Sequence, residues 1–310
     1  MSERGPRALR WMLPWLLLLP LGLIAGRARA APRGGAGGGV GSVAALQAQL
    51  QGSDPQAVRA AIDGLVARAD ARAVAVLDAF LLQGQPDALS EHTLRALAAA
   101  KRPDRALPPA RALLQRMARH RRAAVRQLAL DGLLAMPRQG TEAEAAIEAA
   151  LAFAVGDSDA GVRGRAARGL GLRGARAQLP LLFRALDRGV REAAPAIGRL
   201  ADAAATAGFH ERLGRSPIDV MLSGYEQLLL RADLDEPLKL DIVARLGEVA
   251  GPSVKIFLER MARTLDFRGT RDLRHAVVQT ARRIDDRPGH QGKRIELSPG
   301  RKVPSGRTEP

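Results

Sequence analysis

Five histidines and 32 carboxylates are the groups in this 310-residue chain that could carry acid–base or metal chemistry. Their spacing argues against both. His92, His120, His210, His275 and His290 are scattered, with no His-x-x-x-His or comparable ligand spacing. No Gly-x-Ser-x-Gly turn offers a serine nucleophile, and the absence of cysteine removes thiolate catalysis, disulfides, Cys-ligated metals and an N-terminal lipid. The stretch RGGAGGGVG at 33–41 lacks the strand before it, the helix-opening role and the Lys-Ser/Thr pair of a phosphate loop, so it reads as a spacer. The expectation is a non-enzymatic protein with no metal and no cofactor.

What chemistry remains is charge. The chain has 48 basic against 32 acidic residues, a formal net charge of +16. Lysine occurs only at 101, 239, 255, 293 and 302, so the excess is almost wholly arginine. An Ala-, Arg- and Gly-rich, Lys-poor chain is also what a GC-biased genome encodes, whatever the function. The densest basic segment, 101–126, makes Lys101, Arg102, Arg105, Arg116, Arg119, Arg121 and Arg122 a candidate anion patch, opposed within it by Asp104 alone. Its functional reading is a site for a polyanion or anionic lipid, and its bland reading is a solvated surface. Nucleic acid is disfavoured as a partner, because base stacking needs aromatics and beyond the leader there is no Trp and only Tyr225 as tyrosine.

The elements that must position these groups begin after a leader. Arg4, Arg7 and Arg10 precede the uncharged run WMLPWLLLLPLGLIA at 11–25, too short for an ordinary span but suited to a signal-peptide core. Ala28-Arg29-Ala30 supplies the small-x-small pattern, so 1–30 reads as a signal peptide cleaved before Ala31. The expected location is periplasmic or secreted; the alternative is a membrane anchor formed by Trp11 to Ala25. Residues 31–42 read as a Gly-rich flexible linker, 43–284 as the folded body and 285–310 as a disordered basic tail.

Within 43–284 an aliphatic residue followed by Arg or Lys keeps returning, at Val58-Arg59, Leu94-Arg95, Val125-Arg126, Val162-Arg163, Val190-Arg191, Leu238-Lys239 and Leu273-Arg274. Helical apolar spacing follows each pair, as in Val58, Ile62 and Leu65. Turn clusters such as Gly156-Asp157-Ser158-Asp159 separate the helices and offer N-cap oxygens. Second helices of the resulting hairpins are expected near 55, 89, 121, 160, 189, 235 and 270, with an inserted loop around 205–215 that would project from the stack.

Two of these stretches, Asp157-x-Asp159-x-x-Val162-Arg163 and Asp233-x-Asp235-x-x-Leu238-Lys239, resemble the HEAT-repeat pattern, in which an Asp-rich turn leads into a second helix opening with Val-Arg. The resemblance implies an all-α fold, a right-handed superhelical solenoid of about seven stacked helical hairpins. It also implies a structural ladder of turn carboxylates and basic side chains, here Asp54, Arg59, Arg126, Asp157, Asp159, Arg163, Arg191, Asp235, Lys239 and Arg274. The function such a body implies is a monomeric scaffold that binds a protein partner over stacked helical surfaces.

Overall fold

The computed structural model describes residues 41–100, 107–264 and 271–285, and these form fifteen α-helices. The leader at 1–30, most of the Gly-rich linker and the tail from 286 lie outside the described residues. The helices are α1 (Val43–Leu50), α2 (Pro55–Arg68), α3 (Ala71–Leu82), α4 (Asp87–Ala99) and α5 (Leu107–Met117). They continue as α6 (Ala123–Ala135), α7 (Thr141–Ala154), α8 (Ala160–Arg173), α9 (Leu179–Asp187) and α10 (Ala193–Leu200). The last five are α11 (Ala203–His210), α12 (Ile218–Leu230), α13 (Glu236–Val249), α14 (Pro252–Thr264) and α15 (Arg271–Asp285). Among the described residues the only β-type pairing is an isolated bridge between Leu213 and Ser216.

Local chemistry sets these boundaries. Asp54, Asp70, Asp159 and Asp202 each lend a carboxylate oxygen to a free amide in the first turn of the following helix, at 2.7–2.9 Å. Gly174, with φ of +75°, ends α8 in the left-handed conformation that glycine adopts without strain. The seven expected second helices correspond to α2, α4, α6, α8, α10, α13 and α15. Of these, α10 departs most from expectation: it begins at Ala193 rather than near 189, because a non-helical turn over 190–192 precedes it.

Two layers follow from stacking the hairpins. Helices α1, α3, α5 and α7 pack side by side as layer A, and α2, α4, α6, α8 and α10 as layer B. The interior between them is aliphatic, with Ile62, Leu65, Leu77, Leu113, Leu130, Leu133, Ile147 and Leu170 among its fully buried side chains. A hairpin alone cannot bury such a stripe, so each repeat obtains its core from its neighbours. This is a helical-repeat solenoid.

The alternation changes after α10. The segment expected to project as a loop is half helix: α11 buries Phe209 and Thr206, and Arg212 ties it back to the end of α9. The Arg212 guanidinium forms a bidentate pair with Asp187 at 2.7 and 2.8 Å and lies 4.6 Å over the Phe183 ring. Periodicity missed this because an eight-residue helix shows barely two turns of pattern. Beyond it α12, rather than α13, packs on α10. Glycine on both helices permits the approach: a Cβ at Gly198 would sit 2.2 Å from the Gly224 carbonyl, and one at Gly224 only 2.4 Å from Phe209 and 2.8 Å from the Ala194 carbonyl. The stack then resumes, α14 on α12 and α15 on both α13 and α14.

Candidate functional site

Two of the arginines that open the second helices bind backbone. Arg126 donates through Nη1 to the carbonyls of His120 and Arg121, six and five residues before it, at 2.9 and 3.0 Å. Arg163 repeats the geometry on Asp157 and Ser158, at 2.9 and 2.8 Å. At these two positions the aliphatic residue, Val125 or Val162, is buried, and the guanidinium closes the turn between the two helices of its own hairpin. Lys239 plays a related part through its ammonium on the Arg231 carbonyl.

Arg126 also reaches a turn Asp of the next repeat. Its Nε and Nη2 form a fork on Asp157 at 2.7 and 2.6 Å, with both side chains nearly buried. Burial raises the Asp157 pKa, but the Arg126 fork and the Asp159 amide outweigh it, and the net direction is downward. Asp159 caps α8 and accepts from Gln127 of α6 at 2.9 Å, while Asp54 caps α2 and Asp235 stands at the N-cap of α13. Arg191 pairs with Asp219 of α12, and both are exposed. Arg59 and Arg274 are exposed on α2 and α15.

Two further arginines, which no spacing rule singled out, each bind at least as many groups as Arg126. Arg173, only 6% exposed, donates through Nη1 to both Glu144 oxygens at 3.1 and 3.2 Å and through Nη2 to the carbonyls of Leu133 and Met136 at 2.6 and 2.8 Å. It thus neutralises the free carbonyl end of α6 from the end of α8. Arg231 does the same for α10 through the carbonyls of Gly198 and Ala201, and its fork on Asp233 lowers that carboxylate to about 2. Their carbonyl partners stand 30–40 residues away in sequence, beyond the reach of any local pattern.

Within the basic segment, Lys101, Arg102 and Arg105 lie outside the described residues. Arg116 forks onto Asp78 of α3, and Arg122 pairs with Asp87, which Arg121 approaches at 3.9 Å. Arg119 has no carboxylate partner among the described residues and lies 4.7 Å over the Phe153 ring.

Two grooves run over the layers. In layer B, a groove of about 600 Å³ crosses α6, α8 and α10. Gly161 and Gly164 are its floor, Leu134, Ala135 and the half-exposed Leu172 its apolar end. Gly164 lets the Glu192 carboxylate lie on α8, since a Cβ there would sit 2.6 Å from the Glu192 Cδ. Arg165 is committed to Asp131 and Gln127. Glu192 and Arg168, both exposed, make no ion pair among the described residues. In layer A, a groove of about 520 Å³ runs between α5 and α7, floored by Ala146, Ala149 and Ala150.

One polar cluster is internal. His210, with a side chain 7% exposed, meets the buried Tyr225 hydroxyl through Nδ1 at 2.9 Å, and its Nε2 stands 3.6 Å from Asp241, which Arg245 holds at 2.8 Å. Burial and the Arg245 charge lower the His210 pKa against the opposing effect of Asp241, and burial pushes the Tyr225 phenol up. A neutral folded histidine binds fewer protons than the unfolded chain, so its contribution to stability is complete above its ordinary pKa near 6.5 and is lost as pH falls below it. The His210 ring-proton resonance is expected to titrate below pH 6.5 in an NMR series on the folded protein; a midpoint above that value would contradict the assignment. Among the described residues no group of His, Asp and Glu could hold a metal ion, and no helix is long and apolar enough to cross a membrane.

No family model matches the chain, and no curated protein matches it. Solved structures do. A crystal structure of an engineered protein is similar over 79% of this chain and 68% of its own, at 17% identity and a TM-score of 0.41. A second engineered protein is similar over 79% and 97%, at 21% identity and a TM-score of 0.35. A designed armadillo repeat protein in complex with the peptide (KR)4 is similar over 79% and 99%, at 13% identity and a TM-score of 0.37.

Proposed function

We propose that this protein is an exported, non-enzymatic scaffold that binds a segment of a protein partner in the layer-B groove over α6, α8 and α10. The observation that carries the reading is the pair of unmatched opposite charges, Glu192 and Arg168, flanking a glycine floor with an apolar end at Leu172. Several polar groups elsewhere are matched across helices, as in Asp131 with Arg165, Asp63 with His92 and Arg199 with Gln227. Unmatched charge beside exposed apolar surface favours a segment with a basic side chain for Glu192, an acidic one for Arg168 and an aliphatic one for Leu172. The leader supports a periplasmic or secreted location, with Ala31 as the first residue of the mature chain.

A photoreactive residue placed at 168 or 172 in the cells of origin tests both halves. The expected result is one covalent adduct on a chain that begins at Ala31, absent when the same residue stands at 72, remote in sequence from the groove, and reduced at least tenfold by Glu192→Lys. Adducts that form equally from 72, or that persist in Glu192→Lys, would exclude the groove. A soluble chain beginning at Met1 would exclude export.

A further inference from the structure

The short helix α11 is fastened to the stack by side chains, since no other helix runs along it in close packing. Phe209, fully buried, stands where a Cβ on Gly224 would come within 2.4 Å of it, and it meets the Tyr225 ring edge-on at 5.1 Å. His210 stacks on the same ring at 5.4 Å and shares a hydrogen bond with its hydroxyl. The two ends of the segment are tied separately. Arg231 holds the Ala201 carbonyl before it, and Arg212 grips Asp187 after it. Both ties keep their charge in weak acid: Arg212 holds the Asp187 carboxyl below its ordinary pKa, and Arg231 does the same for Asp233.

The closed arrangement has no place for a second proton on His210. Its Nδ1 and the Tyr225 hydroxyl share one hydrogen bond, and that hydroxyl has no other partner among the described residues. An imidazolium must donate through Nδ1, which strands the hydroxyl proton in a buried site. Nε2 is buried without a hydrogen bond, 3.6 Å from Asp241 Oδ2, and Arg245 Nε already occupies that oxygen at 2.8 Å. The groups facing His210 are thus Tyr225 from α12 and the Asp241–Arg245 pair from α13. Its chain neighbours are Glu211, which is exposed, and Arg212, committed to Asp187 of α9. Burial and the Arg245 charge oppose the proton, Asp241 favours it, and the opposition prevails.

We infer that α11 is an acid-released strap: in weak acid residues 203–210 lift off α12 between their two tied ends, baring Tyr225 and the pit that Phe209 fills, while the stack stays folded. A lifted His210 takes its proton at the ordinary pKa, about 6.5. Each unit of pH below that multiplies the lifted population by up to about ten, until the lowered pKa of the closed form is passed. The stack holds because Gly198 receives the Gly224 carbonyl without help from α11. The device is independent of the layer-B groove.

Segment-resolved hydrogen exchange on the full chain at about pH 7.5 and about pH 5, corrected for intrinsic amide rates, tests this. Protection of 203–210 is expected to fall about tenfold or more in acid, with that of α6 and α8 unchanged. His210→Asn keeps an amide for the Tyr225 hydroxyl but cannot titrate, and it is expected to abolish the fall. Arg245→Gln, at a half-exposed position, frees the Asp241 oxygen for an imidazolium and is expected to shrink the fall to about threefold or less. A merely structural arginine would not make α11 hold better in acid when removed. Loss of protection in all helices together, no loss in α11, or a loss that persists in His210→Asn would overturn the inference. If His210→Asn leaves α11 unprotected at neutral pH already, Arg245→Gln decides alone, and an acid loss equal to that of the wild type overturns it.

Discussion

Replacing Arg173 by methionine is expected to lower the free energy of unfolding by about 3–5 kcal/mol, the usual loss when one partner of a buried ion pair is removed. The guanidinium makes two kinds of contact that methionine cannot. Its Nη1 donates to both oxygens of Glu144, at the start of α7, and its Nη2 satisfies the carbonyls of Leu133 and Met136 at the end of α6. Methionine restores the volume and the apolar stem but leaves those carbonyls facing an apolar group. Glu144 keeps Arg138 and the Gln139 amide, so the carboxylate itself is not abandoned. Arg173→Lys retains a charge but has one nitrogen for the two sites that Nη1 and Nη2 serve separately, and is expected to recover less than half of the loss. Urea unfolding at neutral pH measures both, and a loss under about 1 kcal/mol for Arg173→Met would show that solvent reaches the α6 carbonyls unaided.

The second large effect belongs to Asp157. Its removal as Asp157→Ala leaves Arg126 with its two turn carbonyls but without a counter-charge, in a site where both side chains are nearly buried. The expected loss is about 2–4 kcal/mol. A cycle with Arg126→Met should show coupling of about 2 kcal/mol between the two positions, and additivity within 0.5 kcal/mol would place the energy in the separate backbone contacts. The acid limb gives an independent reading. The carboxylate is held below its ordinary pKa, so its stabilisation is present at neutral pH and fades as pH falls through the lowered value. The wild-type protein should lose stability on acidification more steeply than Asp157→Ala does.

Much of the architecture was legible before any coordinates, for reasons that particular residues make plain. Val162 and Arg163 advertise a second helix because one continues the apolar stripe that is buried in the core and the other closes the turn at residues 157–158 through bonds five and six residues long in sequence. Local constraints leave local signatures. The ladder expected from the HEAT resemblance combines several geometries: Asp54 and Asp159 serve their own helix starts, Arg163 binds carbonyls, and Arg126 with Asp157 joins adjacent repeats.

Arg173 and Arg231 were invisible for the opposite reason. Each looks like one more arginine near a helix end, and its role depends on which carbonyls another repeat presents to it. The same holds for the cationic segment, where density along the chain said nothing of Asp78 on α3 or Asp87 on α4, the carboxylates that neutralise Arg116 and Arg122. The groove over Gly161 and Gly164 combines residues from three hairpins, and only the fold brings Glu192 across α8.

The glycine contact between α10 and α12 bears on how such a chain can change its length over generations. Before it, one hairpin follows another with interchangeable neighbours, so duplication or loss of a whole unit in that stretch rejoins similar surfaces. Across the contact no such exchange is neutral. Gly198 accommodates the Gly224 carbonyl, Gly224 accommodates the Ala194 carbonyl, and Phe209 from the intervening segment fills the space beside Gly224. A recombination joint between 198 and 224 would pair one of these glycines with an unrelated side chain and separate the helices. Variation in repeat number is therefore expected to accumulate on the N-terminal side, while the stretch from α10 to α12 is inherited as a block.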